Sequence, residues 1–163
     1  MTSLRHFIPV ALIAFAGAAF AAPDYRTINL SIDINKPAQE VWAKVGGYCD
    51  ISKWLDVDCK IVSGDGGIGT VRALMKGRLL EILVGKTDLS YGYVQPVQEG
   101  VYYNLYHGFM EAKPLSQGTS RIVYTLLYDL SDKPDEAAKQ ADLTRRRTLF
   151  ETALKKMKQI SEQ

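Results

Sequence analysis

The sequence PDEAAKQADLTRRRTLFETALKKMKQI, residues 134–160, predicts the one long helix of this chain. Pro134 suits a first helical position, and Asp135 and Glu136 follow where the helix dipole favours negative charge. Apolar residues then recur at helical spacing, at Phe150, Ala153, Leu154, Met157 and Ile160. A helix of this length would extend about 40 Å. Its apolar stripe is too narrow for stability in isolation, so the helix must lie against another part of the chain.

The chain before this helix is mostly strand-like. Residues Tyr25–Ile34 alternate apolar and polar side chains, as in a half-buried strand. Pro37 then begins a short helix that ends at Gly46 and Gly47, and a second helical turn is predicted at Asp50–Leu55. Further strands are predicted at Cys59–Ser63, Gly69–Lys76, Arg78–Lys86, Leu89–Pro96, Val101–Lys113 and Ser120–Asp129.

The links between these later strands are short, so successive strands must be antiparallel neighbours. The predicted fold class is therefore α+β. We expect a curved antiparallel sheet of about six to seven strands wrapped around one long C-terminal helix, with two small helices after the first strand.

Length and composition describe an ordinary globular protein. The 163 residues are 47% hydrophobic and 23% charged, enough for one domain with a sizeable core. The formal charge of +2 is too small to indicate nucleic acid or an acidic membrane as a partner. We expect a single domain over residues 22–163.

The first residues have the pattern of a secretory signal peptide. Arg5 and His6 precede an apolar run, Phe7–Phe20, that leads to a small-residue cleavage site ending at Ala21. The alternative is a membrane anchor, but about 14 apolar residues are short of the ~20 that a span needs. We therefore expect residues 1–21 to be removed, no stable membrane insertion after cleavage, and a periplasmic or secreted protein.

Cys49 and Cys59 are the only cysteines in the chain. In an oxidising compartment a disulfide between them is favoured. The alternative is two buried free thiols. A disulfide would remove both residues from the candidate nucleophiles and give them a structural role.

The run Gly64–Gly69 spells GxGxxG. A dinucleotide-binding loop would need a helix directly after it, but Thr70–Met75 has the pattern of a strand. The run is interpreted as a hairpin turn, and no cofactor is predicted. His107 is the one histidine after the signal segment, with no cysteine or carboxylate cluster near it, so no metal site is predicted either.

Several short motifs follow one another between residues 26 and 160. They are Ile34–Trp42, Tyr48–Trp54, Gly69–Leu74, Glu81, Tyr91–Tyr93 and the YxGxMxAxP pattern of Tyr106–Pro114, then Tyr124 and the helix residues Phe150, Leu154 and Met157. In this order the sequence resembles the START-like, or SRPBCC, superfamily, and within it the bacterial polyketide cyclase/dehydrase-like branch. The resemblance implies a helix-grip fold in which sheet and helix enclose an elongated apolar cavity. Members of the family bind lipids, hormones or polyketides there, and some catalyse cyclisation or dehydration.

Arg72 and Glu81 are the charged candidates for a site, because they fall on neighbouring strands of one hairpin. One interpretation is an ion pair in solvent. The other is that Arg72 reaches into the cavity and holds a ligand oxygen while Glu81 orients it. The complete candidate ligand-binding set is Arg72, Glu81, Tyr91, Tyr93, Asn104, Tyr106, Tyr124 and Phe150.

Both faces of the last two strands are apolar, which is unusual for a sheet with one face in water. Either a partner covers the outer face, or tyrosines such as Tyr106 and Tyr124 tolerate exposure there. His107 alternates with Tyr106 and Met110, so it is predicted on the opposite face from them.

Three functions follow from these observations. The first is an exported binding protein for a small hydrophobic or amphipathic molecule. The second is a polyketide cyclase- or dehydratase-type enzyme that uses the same cavity, with Arg72 stabilising enolate charge and a tyrosine or Glu81 moving protons. The third is an interaction module that uses the outer strand faces. The sequence leaves the ligand and the oligomeric state open.

Overall fold

The structure is a computed structural model and describes residues 22–96 and 105–163. The predicted signal segment and Asn104 lie outside these residues. The described elements follow in the order β1 (Tyr25–Ile34), α1 (Ala38–Val45), α2 (Ile51–Trp54), β2 (Cys59–Ser63), β3 (Val71–Leu74), β4 (Leu79–Thr87), β5 (Ser90–Val94), β6 (Tyr106–Pro114), β7 (Ser120–Asp129) and α3 (Glu136–Glu162).

The strands form one antiparallel sheet in the order β1-β7-β6-β5-β4-β3-β2. The first two strands of the chain are therefore the two edges of the sheet, and α1 and α2 make the connection between them. Register shifts interrupt the pairing between Ile61 and Ser63 and between Leu83 and Gly85, where bulges bend a sheet. The predicted α+β class, with a curved sheet and a long C-terminal helix, is confirmed.

Helix α3 begins two residues later than Pro134, the predicted first position. Asp135 is its N-cap, with an extended backbone and a side chain that accepts a hydrogen bond of 2.8 Å from the Ala138 amide. That carboxylate satisfies an amide of the first turn, which explains the later start. Phe150, Ala153, Leu154 and Met157 are buried as predicted, whereas Ile160 is only half-buried and Ser161 is closed to solvent.

The glycine-rich run lies in the turn between β2 and β3, as predicted, and no helix follows it. Gly64, Gly66 and Gly69 have positive φ, which glycine adopts without steric cost. Strand β3 is shorter than predicted because Gly69, Met75 and Lys76 all have positive φ and cannot continue an extended strand.

The sheet has a concave face, against which α3 packs, and a convex outer face. The tyrosines of β5, β6 and β7 point to the concave side, so the interpretation that they explain the apolar outer face is wrong. The apolar side chains of the outer face include Val84 and Phe109, which are 46% and 39% exposed. His107 is half-buried on this outer side, opposite Tyr106 and Met110 as predicted. Among the described helices, none is long and apolar enough to cross a membrane.

Candidate ligand site

A charged pair lies at the centre of the concave side. Arg72 on β3 and Glu81 on β4 are directly opposite each other in the strand register. Their exposures are 0% and 3%, so neither side chain reaches solvent. The interpretation of this pair as a surface contact is therefore wrong, and the pair is enclosed by the fold.

Hydrogen bonds fix the orientation of both side chains. Arg72 Nε donates to Glu81 Oε2 over 2.8 Å, and Arg72 Nη2 lies 2.6 Å from the same oxygen. Arg72 Nη1 donates to the backbone carbonyl of Tyr48. Gln95 Nε2 lies 3.5 Å from the other carboxylate oxygen of Glu81. Because an unpaired buried charge is costly, these contacts are what allow two ionised groups to stay in the interior.

Three aromatic rings surround the guanidinium of Arg72. Its Cζ atom lies 4.2 Å from the centre of the Tyr48 ring, 4.9 Å from that of Tyr93 and 5.8 Å from that of Tyr91. Cations are attracted to the negative faces of aromatic rings, more strongly where water is excluded. The rings therefore stabilise the charge of Arg72 and also separate it from solvent.

Burial and the neighbouring groups together set the pKa values in this cluster. Burial alone would lower the pKa of Arg72, but Tyr91 and Glu81 favour the cation and raise its pKa above the ordinary value. Burial raises the pKa of Glu81, and Arg72 opposes that change. Burial also raises the pKa of Tyr93 and Tyr124 well above 10.0, so both hydroxyls stay protonated and able to donate hydrogen bonds.

A second polar feature lies beside the ion pair. The hydroxyls of Tyr93 and Tyr124 are 2.8 Å apart, in hydrogen-bond contact, and both rings are buried. Gly108 makes this possible, because a Cβ there would lie 2.1 Å from the Tyr93 ring. The Tyr124 ring in turn packs on Phe150 of α3 at 4.8 Å between ring centres. The helix therefore covers the tyrosine pair.

Arg146 on α3 is a second cation in contact with the aromatic cluster. Its Cζ lies 4.5 Å from the Tyr128 ring centre and 5.1 Å from that of Tyr106. Asp142, one turn earlier, accepts a hydrogen bond from its Nε over 2.7 Å. Burial raises the pKa of Tyr106 to about 12, so its hydroxyl is protonated at neutral pH.

The structure brings most of the predicted site residues together. Arg72, Glu81, Tyr91, Tyr93, Tyr106, Tyr124 and Phe150 all lie buried on the concave side, joined by ring or hydrogen-bond contacts. Asn104 lies outside the described residues, so its predicted role stays a prediction.

The prediction missed Tyr48, Gln95 and Arg146. Two of them carried a signal: Gln95 has the same strand parity as Tyr91 and Tyr93, and Arg146 precedes Phe150 by one helical turn. Tyr48 opens the Tyr48–Trp54 motif, but no periodic pattern orients its side chain, because it belongs to the irregular link between α1 and α2.

The predicted disulfide between Cys49 and Cys59 is confirmed, with the two Cα atoms 5.5 Å apart. It joins the α1–α2 link to the edge strand β2 and lies next in sequence to Tyr48. No thiol remains free in the chain.

Two cavities open near the cluster. One, of about 290 Å³, lies between the α1–α2 link and β4–β5, and Tyr48, Tyr91, Trp42 and Lys86 are among its lining residues. The other, of about 140 Å³, is lined by Gln95, Tyr106, Tyr128 and Arg146, among others. Within residues 22–96 and 105–163, no three His, Cys, Asp or Glu side chains are grouped to hold a metal ion.

No family model and no curated protein matches the chain in sequence. Solved structures match it in fold. The Zhui aromatase/cyclase from Streptomyces sp. R1128 is 16% identical, with a TM-score of 0.67 over 85% of this chain and 94% of that one. A solution structure from Thermobifida fusca is 20% identical, with a TM-score of 0.66 over 81% of this chain and 90% of the other.

The structure of Ara h 8.0201 is 17% identical, with a TM-score of 0.57 over 82% of this chain and 98% of that one. At these identities the likeness concerns the fold. It covers nearly the whole of each of these proteins, with a long helix packed on a curved antiparallel sheet. The chain therefore has the helix-grip fold that the resemblance implied.

Proposed function

We propose that this chain is an exported binding protein that holds a small apolar or amphipathic molecule between the sheet and α3. One observation carries the proposal: a solvent-free Arg72–Glu81 pair lies on the concave side of the sheet, ringed by tyrosines. A core whose only task is stability gains little from buried charges, which hydrophobic residues of equal volume can replace. The export follows from the predicted signal segment and agrees with the disulfide.

The chemistry of the cluster defines the class of ligand. Apolar and aromatic side chains such as Phe150 and Leu83 would contact a hydrocarbon or ring portion. Protonated tyrosine hydroxyls and the guanidinium of Arg72 donate hydrogen bonds, so they suit a carbonyl, carboxylate or enolate oxygen. The ligand would be a lipid-like or polyketide-like molecule with one oxygen-bearing end.

Native mass spectrometry of the protein purified from the exported fraction of its own cells tests the proposal. The expected result is a second mass above that of the chain, which disappears on denaturation. A homogeneous empty protein that also fails to take up added fatty acids and aromatic polyketides would contradict it.

The variant Arg72→Met separates a role in binding from a role in packing. It should weaken anionic amphiphiles by about 1.5–3 kcal/mol, the range for a hydrogen bond to a charged group, and leave neutral ones nearly unchanged. Arg147→Met is a matched control, since Arg147 is about half exposed on α3. Equal loss for anionic and neutral probes would point to a collapsed core instead. Circular dichroism establishes that each variant is folded.

An enzyme of cyclase or dehydratase type is the second candidate, and the Tyr93–Tyr124 hydroxyl pair favours it. Two protonated hydroxyls beside an arginine could pass a proton to, and stabilise charge on, an enolising substrate. The aromatase/cyclase among the structural neighbours is consistent with such chemistry. In that case Arg72→Met should lower turnover more than affinity, because the charge that Arg72 meets develops only in the transition state.

A further inference from the structure

Tyr48 covers the guanidinium of Arg72 from the side of the larger cavity. Its ring lies 4.2 Å from Arg72 Cζ, and its carbonyl accepts the hydrogen bond from Arg72 Nη1. The same ring contacts Tyr91 edge-on at 5.5 Å between centres. Within the described residues, the Tyr48 hydroxyl is buried without a hydrogen-bond partner. The residue is thus held through its ring and its backbone, and not through its hydroxyl.

Tyr48 and Tyr91 also line the cavity of about 290 Å³ between the α1–α2 link and β4–β5. The two rings therefore stand between this cavity and Arg72. A molecule in the cavity would reach the ion pair if the Tyr48 ring moved aside. Tyr91 belongs to the regular strand β5, but Tyr48 lies in a link without regular structure, so Tyr48 is the part that can move.

The link that carries Tyr48 meets the sheet through the hydrogen bond from Arg72 Nη1 to the Tyr48 carbonyl. It meets α2 through the hydrogen bond from Ser52 to the Cys49 carbonyl and the ion pair of Lys53 with Asp50. Gly47 and Asp50 exchange two hydrogen bonds, and both of these bonds lie within the link. Its covalent attachment to the sheet is the disulfide from Cys49, the residue next to Tyr48, to Cys59 on β2. Both cysteines are half-buried. Among these attachments the disulfide is the covalent one, so thiol–disulfide exchange can break it and form it again without any change of sequence.

We infer that Tyr48 is a gate between this cavity and the Arg72–Glu81 site, and that the Cys49–Cys59 disulfide keeps the gate closed. Reduction breaks the Sγ–Sγ bond and forms two thiols. A dithiol, small or protein-borne, supplies the two electrons and two protons and becomes a disulfide itself. The Tyr48 segment then gains the freedom to leave Arg72, and the cavity becomes continuous with the site. The inference rests on the proposed ligand site, but its central test does not.

Chemical modification of arginine measures how accessible Arg72 is, and therefore whether the gate opens, without any ligand. The full oxidised chain and the chain reduced with dithiothreitol are treated with phenylglyoxal, a dicarbonyl that modifies accessible guanidinium groups. Peptide mass spectrometry then gives the rate at Arg72. We expect reduction to raise this rate by about tenfold or more, since local opening no longer has to strain the cross-link. The exposed Arg147 is the internal control and should react at one rate in both states.

Amide hydrogen exchange of β7 distinguishes gating from unfolding, because β7 is an interior strand of the sheet. Faster modification of Arg72 with unchanged protection of β7 supports the gate. An equal rate at Arg72 in both redox states overturns it, as does a faster rate accompanied by loss of protection in β7.

Two variants test Tyr48 itself with the disulfide intact. Tyr48→Ala removes the covering ring and should make Arg72 reactive in both redox states. Tyr48→Phe keeps the ring and loses only the unpartnered hydroxyl, so its rate of Arg72 modification should depend on the redox state as in the parent chain. Slow modification of Arg72 in the oxidised Tyr48→Ala variant would overturn the role of Tyr48.

Binding of 8-anilinonaphthalene-1-sulfonate, an amphipathic anion, tests the proposed function separately. Its affinity should rise on reduction in parallel with the modification rate, and Arg72→Met should abolish the rise. If modification accelerates but the probe binds no better, the gate stands and the proposed anion-binding site fails. If the probe binds equally well to the oxidised and the reduced chain while Arg72 stays unreactive toward phenylglyoxal, the gate is contradicted and the proposed function is not.

Discussion

Arg72 and Glu81 form an ion pair that is closed on every side, with 2.6 Å between Arg72 Nη2 and Glu81 Oε2 and no solvent contact for the arginine. The two residues are direct partners across β3 and β4, so the backbone register alone brings them together. The surrounding tyrosine rings and the Tyr48 carbonyl complete the environment of the cation.

The first prediction follows from this pairing. Arg72→Met or Glu81→Met alone should each destabilise the protein by about 3–5 kcal/mol, because one charge stays buried without its partner. The double variant Arg72→Met/Glu81→Met should cost clearly less than the sum of the two. Urea unfolding of the three variants measures this double-mutant cycle. Additive losses would mean that the pair does not act as a unit.

The second prediction concerns how tightly α3 is held. Phe150 is 5% exposed and packs on Tyr124, so Phe150→Ala should cost about 3–5 kcal/mol. Lys155→Ala, at an exposed position of the same helix, should stay within about 0.5 kcal/mol. The midpoints of chemical unfolding give both values. Small and equal effects would show that the sheet does not hold the helix.

The architecture could be predicted from the sequence because it depends on patterns that repeat. Alternation in Tyr25–Ile34, short turns and the helical spacing of Phe150, Leu154 and Met157 were enough for the elements and for the class of fold. The register that pairs Arg72 with Glu81 also followed from a short hairpin.

The side of the sheet on which the pair lies could not be predicted. Val71, Ala73 and Leu74 surround Arg72, so β3 has no polar face against which to orient the arginine. The position of Tyr48 was inaccessible for a different reason: an irregular link has no period, and its course is set by the disulfide and by packing. Arg146 could have been found from its spacing to Phe150, but a cation on a helix surface is ordinarily assumed to face water.

The third prediction concerns the disulfide. Mass spectrometry without a reductant should find the exported chain about 2 Da lighter than its reduced form, the two hydrogens lost on bonding. The bridged residues are 10 apart, and the chain-entropy model then gives a loss of about 2.5–3 kcal/mol for the variant Cys49→Ser/Cys59→Ser. Thermal unfolding measures the loss, and labelling of both thiols in untreated exported protein would contradict the bridge.

The fourth prediction is a pH dependence at the start of the chain. Hydrogen bonds from Arg26 Nε and Lys139 Nζ, each 2.6 Å long, lower the pKa of Asp24 below its ordinary value of 3.8. A carboxylate whose pKa is lower in the folded state than in the unfolded state stabilises the fold at pH values above its unfolded-state pKa. This stabilisation is lost as the pH falls. The gap in unfolding free energy between the parent chain and Asp24→Asn should therefore narrow from about pH 5 to about pH 2.

The control for this experiment is Asp88→Asn. Asp88 is exposed in the β4–β5 turn and has no ion pair among the described residues. Asp88→Asn therefore removes a carboxylate without breaking an ion pair, and it should not reproduce the narrowing expected for Asp24→Asn. A gap at Asp24 that widens on acidification would reverse the sign and contradict the pairing with Arg26 and Lys139.

The fifth prediction tests the tyrosine pair through glycine. The Tyr93 ring lies across Gly108 on the neighbouring strand, where a new Cβ would come within 2.1 Å of it and 2.3 Å of its hydroxyl. Gly108→Ala must therefore displace Tyr93 and break its hydrogen bond to Tyr124. Gly92→Ala is the matched control, because a Cβ there would meet its nearest atom, on Phe109, at an ordinary 3.7 Å. Overpacking should cost Gly108→Ala about 1–3 kcal/mol and the control clearly less.

If Tyr93→Phe abolishes ligand uptake, Gly108→Ala should do the same while Gly92→Ala keeps it. Retained uptake in Gly108→Ala, in a chain whose Tyr93 is shown by crystallography to be displaced, would remove the tyrosine pair from the site.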